Sequence, residues 1–209
     1  MKIIYLLVAA LISVLVVYRS AILAFVAKVR FMKGETKSAV KAFNLARKLG
    51  KLSTRNMIDF GYLYMREGVF ATAREILDKG KKMAKTAVER KQIESILALA
   101  VWKDGDLNGA VKILEEVIES FRQTAVYQNL GLMYNLQGNG EKALKFNLEA
   151  VDYNSDDLSI LDNLAQSYVL CGDTAAAEEV YTKLLEKKPT FPEVYYGYGF
   201  LLIDKGETQ

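Results

Sequence analysis

The sequence predicts an all-α protein of stacked antiparallel helix pairs, preceded by a long apolar helix. Two observations predict this fold: glycines recur at spacings of 34, 37, 33, 34 and 34 residues, and an uncharged apolar segment opens the chain. A glycine after a helix lets the chain reverse, and a small residue lets two helices cross closely. The glycines are Gly34, Gly68, Gly105, Gly138, Gly172 and Gly206, and the first five are each followed five residues later by Ala39, Ala73, Ala110, Ala143 and Ala177.

The apolar segment comes first along the chain. Residues 3–18 carry no charge, and residues 21–27 extend the apolar run beyond Arg19. As a helix, residues 3–18 rise about 24 Å and residues 3–27 about 38 Å, against about 30 Å of hydrocarbon in a bilayer. The segment therefore predicts a transmembrane anchor over residues 1–27 that continues into the first repeat helix. A cleaved secretory signal is the alternative, although no small-x-small cleavage pattern follows the apolar core.

Charge is distributed unevenly along the chain. Residues 1–53 hold ten Lys and Arg and one acidic residue, whereas residues 124–209 hold six basic and 13 acidic residues. Basic residues after the apolar segment predict a single-pass protein of the plasma or inner membrane, with the helical part on the cytoplasmic side. The acidic C-terminal end argues against nucleic acid as a partner.

Composition excludes several kinds of chemistry. The chain has one cysteine, Cys171, and no histidine, so it cannot form an internal disulfide, a Cys/His zinc site or a histidine-based catalytic group by itself. The glycines follow the repeat period and form no phosphate-binding loop. We therefore expect a protein that is not an enzyme, with no catalytic residues, no metal site and no cofactor.

The repeated segments share a residue pattern. Residues 157–190 carry it most fully, with Leu161, Leu164, Ala165 and Tyr168 on a first helix and Ala177, Tyr181, Leu184 and Pro189 on or after a second. This pattern resembles the tetratricopeptide repeat (TPR). The resemblance covers residues 20–209 and implies a right-handed α-solenoid of about five helix pairs and one final unpaired helix. Residues 124–157 match as well, except that Asn147 replaces the expected aromatic residue.

The resemblance also implies where a partner binds. In the TPR family, inward-facing residues of the first helices line a concave groove for an extended peptide or a partner helix. Asn129 and Asn163 occupy the same frame position, where they would either hold a peptide backbone or simply be exposed polar residues. Trp102 is either an anchor in the groove or a core residue. The predicted binding residues are Arg55, Asp59, Tyr62, Met65, Arg66, Leu99, Trp102, Gln128, Asn129, Leu132, Asp162, Asn163 and Gln166.

The leading functional prediction is a membrane-anchored scaffold or adaptor that binds protein or peptide partners without catalysis. Two alternatives stay open. The last segment matches only the first helix of a sixth repeat and carries apolar residues such as Tyr196 and Phe200, so this end either continues in a longer chain or docks on another protein. Docking on a second copy would make the protein a self-assembling homo-oligomer. The other alternative is a repeat protein that is exported after signal cleavage.

Overall fold

The computed structural model describes residues 2–206, except for the side chains of residues 2, 3, 6–12, 14 and 15. Over these residues the chain forms 11 α-helices and no strand, so the all-α prediction is confirmed. The chain divides into two compact units, Met1–Asp106 and Leu107–Gln209. The helices are α1 (Lys2–Met32), α2 (Thr36–Leu49), α3 (Thr54–Arg66), α4 (Phe70–Met83), α5 (Ala87–Lys103), α6 (Leu107–Ile118), α7 (Thr124–Leu136), α8 (Gly140–Tyr153), α9 (Leu158–Leu170), α10 (Thr174–Glu186) and α11 (Glu193–Asp204).

The first unit contains α1 to α5. Helix α1 packs on α2, and α3 packs on α4 and α5. Between the first two pairs, the ring of Phe43 on α2 stacks on that of Phe60 on α3, and both side chains are fully buried. These contacts make α1 to α5 a stack of consecutive helix hairpins.

The second unit contains α6 to α11. Each helix packs on the next from α6 to α11, and α9 also contacts both α7 and α11. The buried core includes Tyr127, Leu164, Tyr181 and Leu201. The first helices of successive repeats, α7, α9 and α11, therefore lie side by side in this unit.

The periodic glycines mark the helix ends, as predicted. All six have positive φ, between 72° and 104°, a region that L residues with a side chain rarely adopt. At Gly172 the N–H of the next residue, Asp173, donates to the carbonyl of Tyr168 at 3.0 Å, which closes a Schellman motif. The Asp173 side chain then accepts from the N–H of Ala176 at 3.0 Å and caps the following helix. One short turn thus ends a helix and begins its partner.

The predicted single-pass placement in the plasma or inner membrane, with the solenoid on the cytoplasmic side, is wrong, and the predicted transmembrane anchor is not confirmed. Among the described residues, no helix combines the length and the apolar character that crossing a bilayer requires. Helix α1 does continue into the first repeat, but this part packs on α2 and buries Ala24 and Ala27 completely, so it serves packing within the protein. The side chains of residues 6–12, 14 and 15, on which the anchor prediction also depended, lie outside the described residues.

Candidate functional site

An apolar cavity lies in the second unit, along α7, α9 and α11. Its volume is about 600 Å³, within the range of ligand-binding clefts. Several of its large apolar side chains are exposed to solvent, and Phe200 is 70% exposed. The cavity is lined by Asn135 and Leu136 from α7, Gln166, Val169 and Leu170 from α9, Tyr181 from α10, and Gly197, Phe200, Leu201, Ile203 and Asp204 from α11.

The packing of α11 determines which side chains face this cavity. Val194 and Leu201 of α11 are buried, seven residues apart and so on one side of the helix. Gly197 lies between them, and a Cβ at this position would overlap the Tyr181 hydroxyl. The missing side chain therefore allows α11 to approach α10 closely, while Phe200 and Ile203 stay exposed at the cavity.

A buried polar network lies behind the cavity and connects α7, α8 and α9. The Asn147 amide donates to the Ser167 hydroxyl at 2.8 Å, and this hydroxyl donates to Asn135 Oδ1 at 2.7 Å. Asn135 in turn donates to the Asn163 carbonyl at 2.8 Å. All four residues of the network are buried, so their hydrogen bonds fix the register of the three helices. Through Asn135 it also supports one wall of the cavity.

Asp162 is a buried carboxylate beside this cavity. It is 5% exposed, and its Oδ2 accepts a hydrogen bond from Gln166 Nε2 at 2.8 Å. Its other oxygen, Oδ1, is buried and has no hydrogen-bond partner among the described residues. Burial, assisted by the nearby Glu193 carboxylate and partly offset by the Gln166 hydrogen bond, raises the pKa of Asp162 to about 6. Near neutral pH the side chain therefore carries a buried charge with one unused acceptor.

A smaller cavity of about 290 Å³ lies between α1 and α3 in the first unit. Lys28 Nζ and Asp59 Oδ2 form an ion pair at 2.8 Å on its wall. The Arg66 guanidinium lies 5.1 Å from the centre of the Phe31 ring, which is a cation–π distance. The charged groups named here already have partners in the protein, so this cavity offers fewer free contacts than the larger one.

The predicted binding residues lie on four different helices. On α3, Asp59, Tyr62 and Arg66 meet at the smaller cavity, whereas on α9 only Gln166 lines the larger one. Arg55 is exposed, and Met65, Leu99, Trp102, Gln128, Asn129 and Leu132 are half-buried. The Trp102 ring is covered by the Lys103 ammonium at 3.8 Å from its centre. A role for these residues in binding stays a prediction.

The predicted pair of equivalent asparagines differs from expectation. Asn129 is half-buried, but Asn163 is almost fully buried and donates from Nδ2 to the Gln128 carbonyl at 2.8 Å. Gln128 is engaged as well, since its amide donates to the Asp157 carboxylate at 2.8 and 2.9 Å. Asn163 and Gln128 therefore hold α7 and α9 together.

The set of predicted binding residues missed most of the larger cavity. Its lining residues are equivalent in the repeat: Asn135, Val169 and Ile203 stand 34 residues apart, as do Leu136, Leu170 and Asp204. The 34-residue period was the signal that could have identified them. When the 34-residue period is applied to the last turns of α7, α9 and α11, it places these side chains at equivalent positions, on one face of the stacked first helices.

Comparison with known proteins supports the fold. A family model described as a tetratricopeptide repeat matches residues 160–194. A tetratricopeptide repeat protein from Parabacteroides merdae ATCC 43184 is 16% identical, with a TM-score of 0.73 over 90% of this chain and 74% of that chain. A thermophilic TPR protein from Thermus thermophilus is 19% identical, with a TM-score of 0.65 over 88% and 99% of the two chains. MamA from Desulfovibrio magneticus RS-1 is 19% identical, with a TM-score of 0.68 over 80% and 93%.

These structural likenesses, all below 25% identity, show the fold alone. No curated protein sequence matches the chain. The fold is similar to that of tetratricopeptide repeat proteins, and the family model matches one stretch of it, residues 160–194.

Proposed function

We propose that this protein is an interaction module that binds a segment of a partner protein in the groove along α7, α9 and α11. The observation that supports this proposal is the cavity of about 600 Å³ with an exposed apolar rim. Leu136, Val169, Leu170, Phe200 and Ile203 form that rim, which we call the apolar rim.

Burial of the apolar rim supplies the free energy of binding. Large apolar side chains gathered around a concave surface are typical of interaction sites. Covering one such side chain contributes on the order of 1.5–3 kcal/mol when its burial is complete. An apolar anchor of the partner, such as Leu or Phe, would fill the cavity and cover several rim side chains at once.

Selection from a random peptide library displayed on phage tests the proposal. The protein is compared with Val169→Asp, which places a charge on the apolar rim. The matched control is Leu148→Asp on α8, because Leu148 is 43% exposed and Val169 41%. We expect selected peptides to contain an apolar anchor, to bind Val169→Asp at least about tenfold more weakly and to bind Leu148→Asp unchanged. A library that yields no binding peptide, or equal weakening by both variants, would overturn the proposal.

Self-association through α11 is a second candidate function. Tyr195, Tyr196 and Phe200 are exposed on this helix. In the repeats of this unit, the first helix packs on a second helix, as α7 does on α8 and α9 on α10, so exposed aromatic residues on α11 favour coverage by another protein. Light scattering across a concentration series tests it: a rise in mass that Tyr196→Lys abolishes supports self-association, and a constant monomer mass rejects it.

A further inference from the structure

The charges of the groove helices point to one kind of partner. Over their whole lengths α7, α9 and α11 contain no Lys or Arg, and α9 and α11 contribute Asp162, Glu193 and Asp204. The basic residues of the helices in this unit lie on the second helices, where Lys142 pairs with Glu115 and Lys183 with Glu179. Lys187, just after α10, pairs with Asp156, and Lys205, just after α11, pairs with Glu178. The groove side of the unit is therefore acidic.

The net charge of the whole second unit is negative as well. Leu107–Gln209 contains eight Lys and Arg and 16 Asp and Glu, a net charge of −8, whereas Met1–Asp106 contains 20 and nine, a net charge of +11. A field of one sign attracts ligands of the opposite charge and raises their association rate. The second unit therefore favours a cationic segment over an anionic one.

Asp162 supplies an independent observation. A buried carboxylate oxygen without a hydrogen-bond partner is costly, so such groups are usually paired. Asp162 lies four residues, about 6 Å along the helix, before Gln166, which lines the cavity and donates to the other carboxylate oxygen. The long, flexible stem of a Lys or Arg side chain can follow an apolar wall and bring its charge to this depth.

We infer that the segment bound in this groove carries a Lys or Arg beside its apolar anchor, and that the cation pairs with Asp162 while Asp204 contributes at the rim. This inference rests on the proposed function and adds the chemical class of the partner. Cation and carboxylate form a charge-assisted hydrogen bond, which gives specificity that the apolar rim alone lacks.

The test uses the tightest peptide from the library, synthesised with Lys, Ala or Glu at the positions flanking its anchor. Fluorescence anisotropy with the full-length chain measures the dissociation constants. We expect the Lys form to bind about tenfold more tightly than the Ala form and the Glu form to bind most weakly, because the charged side chains of α7, α9 and α11 are all acidic. The preference for Lys should shrink at high salt.

Substitutions then locate the contact. Asp162→Asn should remove most of the preference for Lys, and the exposed Asp204→Asn should reduce it even if the first variant folds poorly. Asp152→Asn on α8 makes the same charge change away from the groove and should leave the preference intact. Selected peptides whose Lys, Ala and Glu forms bind equally would overturn this inference but leave the proposed function standing. A library without any binding peptide would overturn both. Light scattering could also detect a homodimer that excludes the Lys peptide. In that case a second copy of the chain would occupy the groove, and the inference would be overturned.

Discussion

Asn147 on α8 donates a 2.8 Å hydrogen bond to the Ser167 hydroxyl on α9, deep in the second unit. The tetratricopeptide pattern has an aromatic side chain in the place of Asn147, so a directional polar contact replaces aromatic packing at this helix junction. A buried hydrogen bond requires a specific distance and angle, whereas apolar side chains can stay in contact when one helix shifts along another. The pair therefore sets how α8 and α9 meet, and Asn135, which receives a bond from the same hydroxyl, extends this control to the cavity wall.

Ser167→Ala should lower the free energy of unfolding by about 1–3 kcal/mol, because it leaves the buried Asn135 Oδ1 and the Asn147 amide without their shortest bonds. Ser159→Ala on the same helix is the control and should change the free energy by less than about 0.5 kcal/mol. Urea denaturation followed by circular dichroism measures both. Equal effects of the two substitutions would show that the buried network contributes nothing to stability.

Gly131→Ala should also destabilise the protein, although alanine favours helices. A Cβ at Gly131 would overlap Asn147 Oδ1, and overpacking costs about 1–3 kcal/mol. Gly199→Ala on α11 meets no atom within 4 Å and should instead stabilise by about 0.5–1 kcal/mol. Thermal melts of the two variants should therefore shift in opposite directions. Asn147→Ala added to Gly131→Ala removes the overlap, so a double-mutant cycle should show strong coupling between these positions.

Asp162→Asn should change how stability depends on pH. Burial raises the pKa of Asp162 to about 6 from its unfolded value of about 4, so the folded state binds the proton more tightly. Its contribution to stability is complete below pH 4 and is lost as pH rises through 6. Relative to the wild type, Asp162→Asn should therefore gain stability between pH 4 and 7, by about 2–3 kcal/mol in total. Urea titrations at several pH values measure this difference, and a constant difference would argue against a raised pKa.

Gly172→Ala should cost about 1 kcal/mol, because Gly172 has a φ of 76° that alanine adopts only with strain. A Cβ there would meet no atom within 4 Å, so backbone strain is the whole effect. Gly172→Asn should cost less, since asparagine enters this region more readily. Chemical denaturation of the two variants should rank them in this order, and the reverse order would refute the assignment of strain.

The features that the sequence predicted best are those that depend on one or a few neighbouring residues, such as turns and close helix crossings. The glycine period located the turns because positive φ depends on one residue, and the periodic alanines, Ala39 to Ala177, are all fully buried as expected for close crossings. The burial of Asn163 could not be predicted in this way. Its amide donates to the Gln128 carbonyl across the contact between α7 and α9. The distance between these two helices depends on their packing, which the repeat pattern alone does not determine.

The cavity and the N-terminal helix illustrate two further limits. Which rim residues stay uncovered depends on Gly197, whose lack of a side chain lets α11 approach Tyr181. At the other end, Ala24 and Ala27 are apolar, but they are buried where the chain packs on itself. An apolar helix that faces lipid and one that joins a helix pair have similar compositions, so hydropathy alone did not distinguish them.

Five glycine turns connect consecutive helices, at Gly34, Gly68, Gly105, Gly138 and Gly172. All five glycines have positive φ, and a side chain added at any of them would meet open space. Each is consequently a natural place to add a short epitope or a fluorescent label without displacing a helix. A set of five such labels, one per turn, would report on successive parts of the chain from chemically equivalent positions, so that their signals can be compared directly.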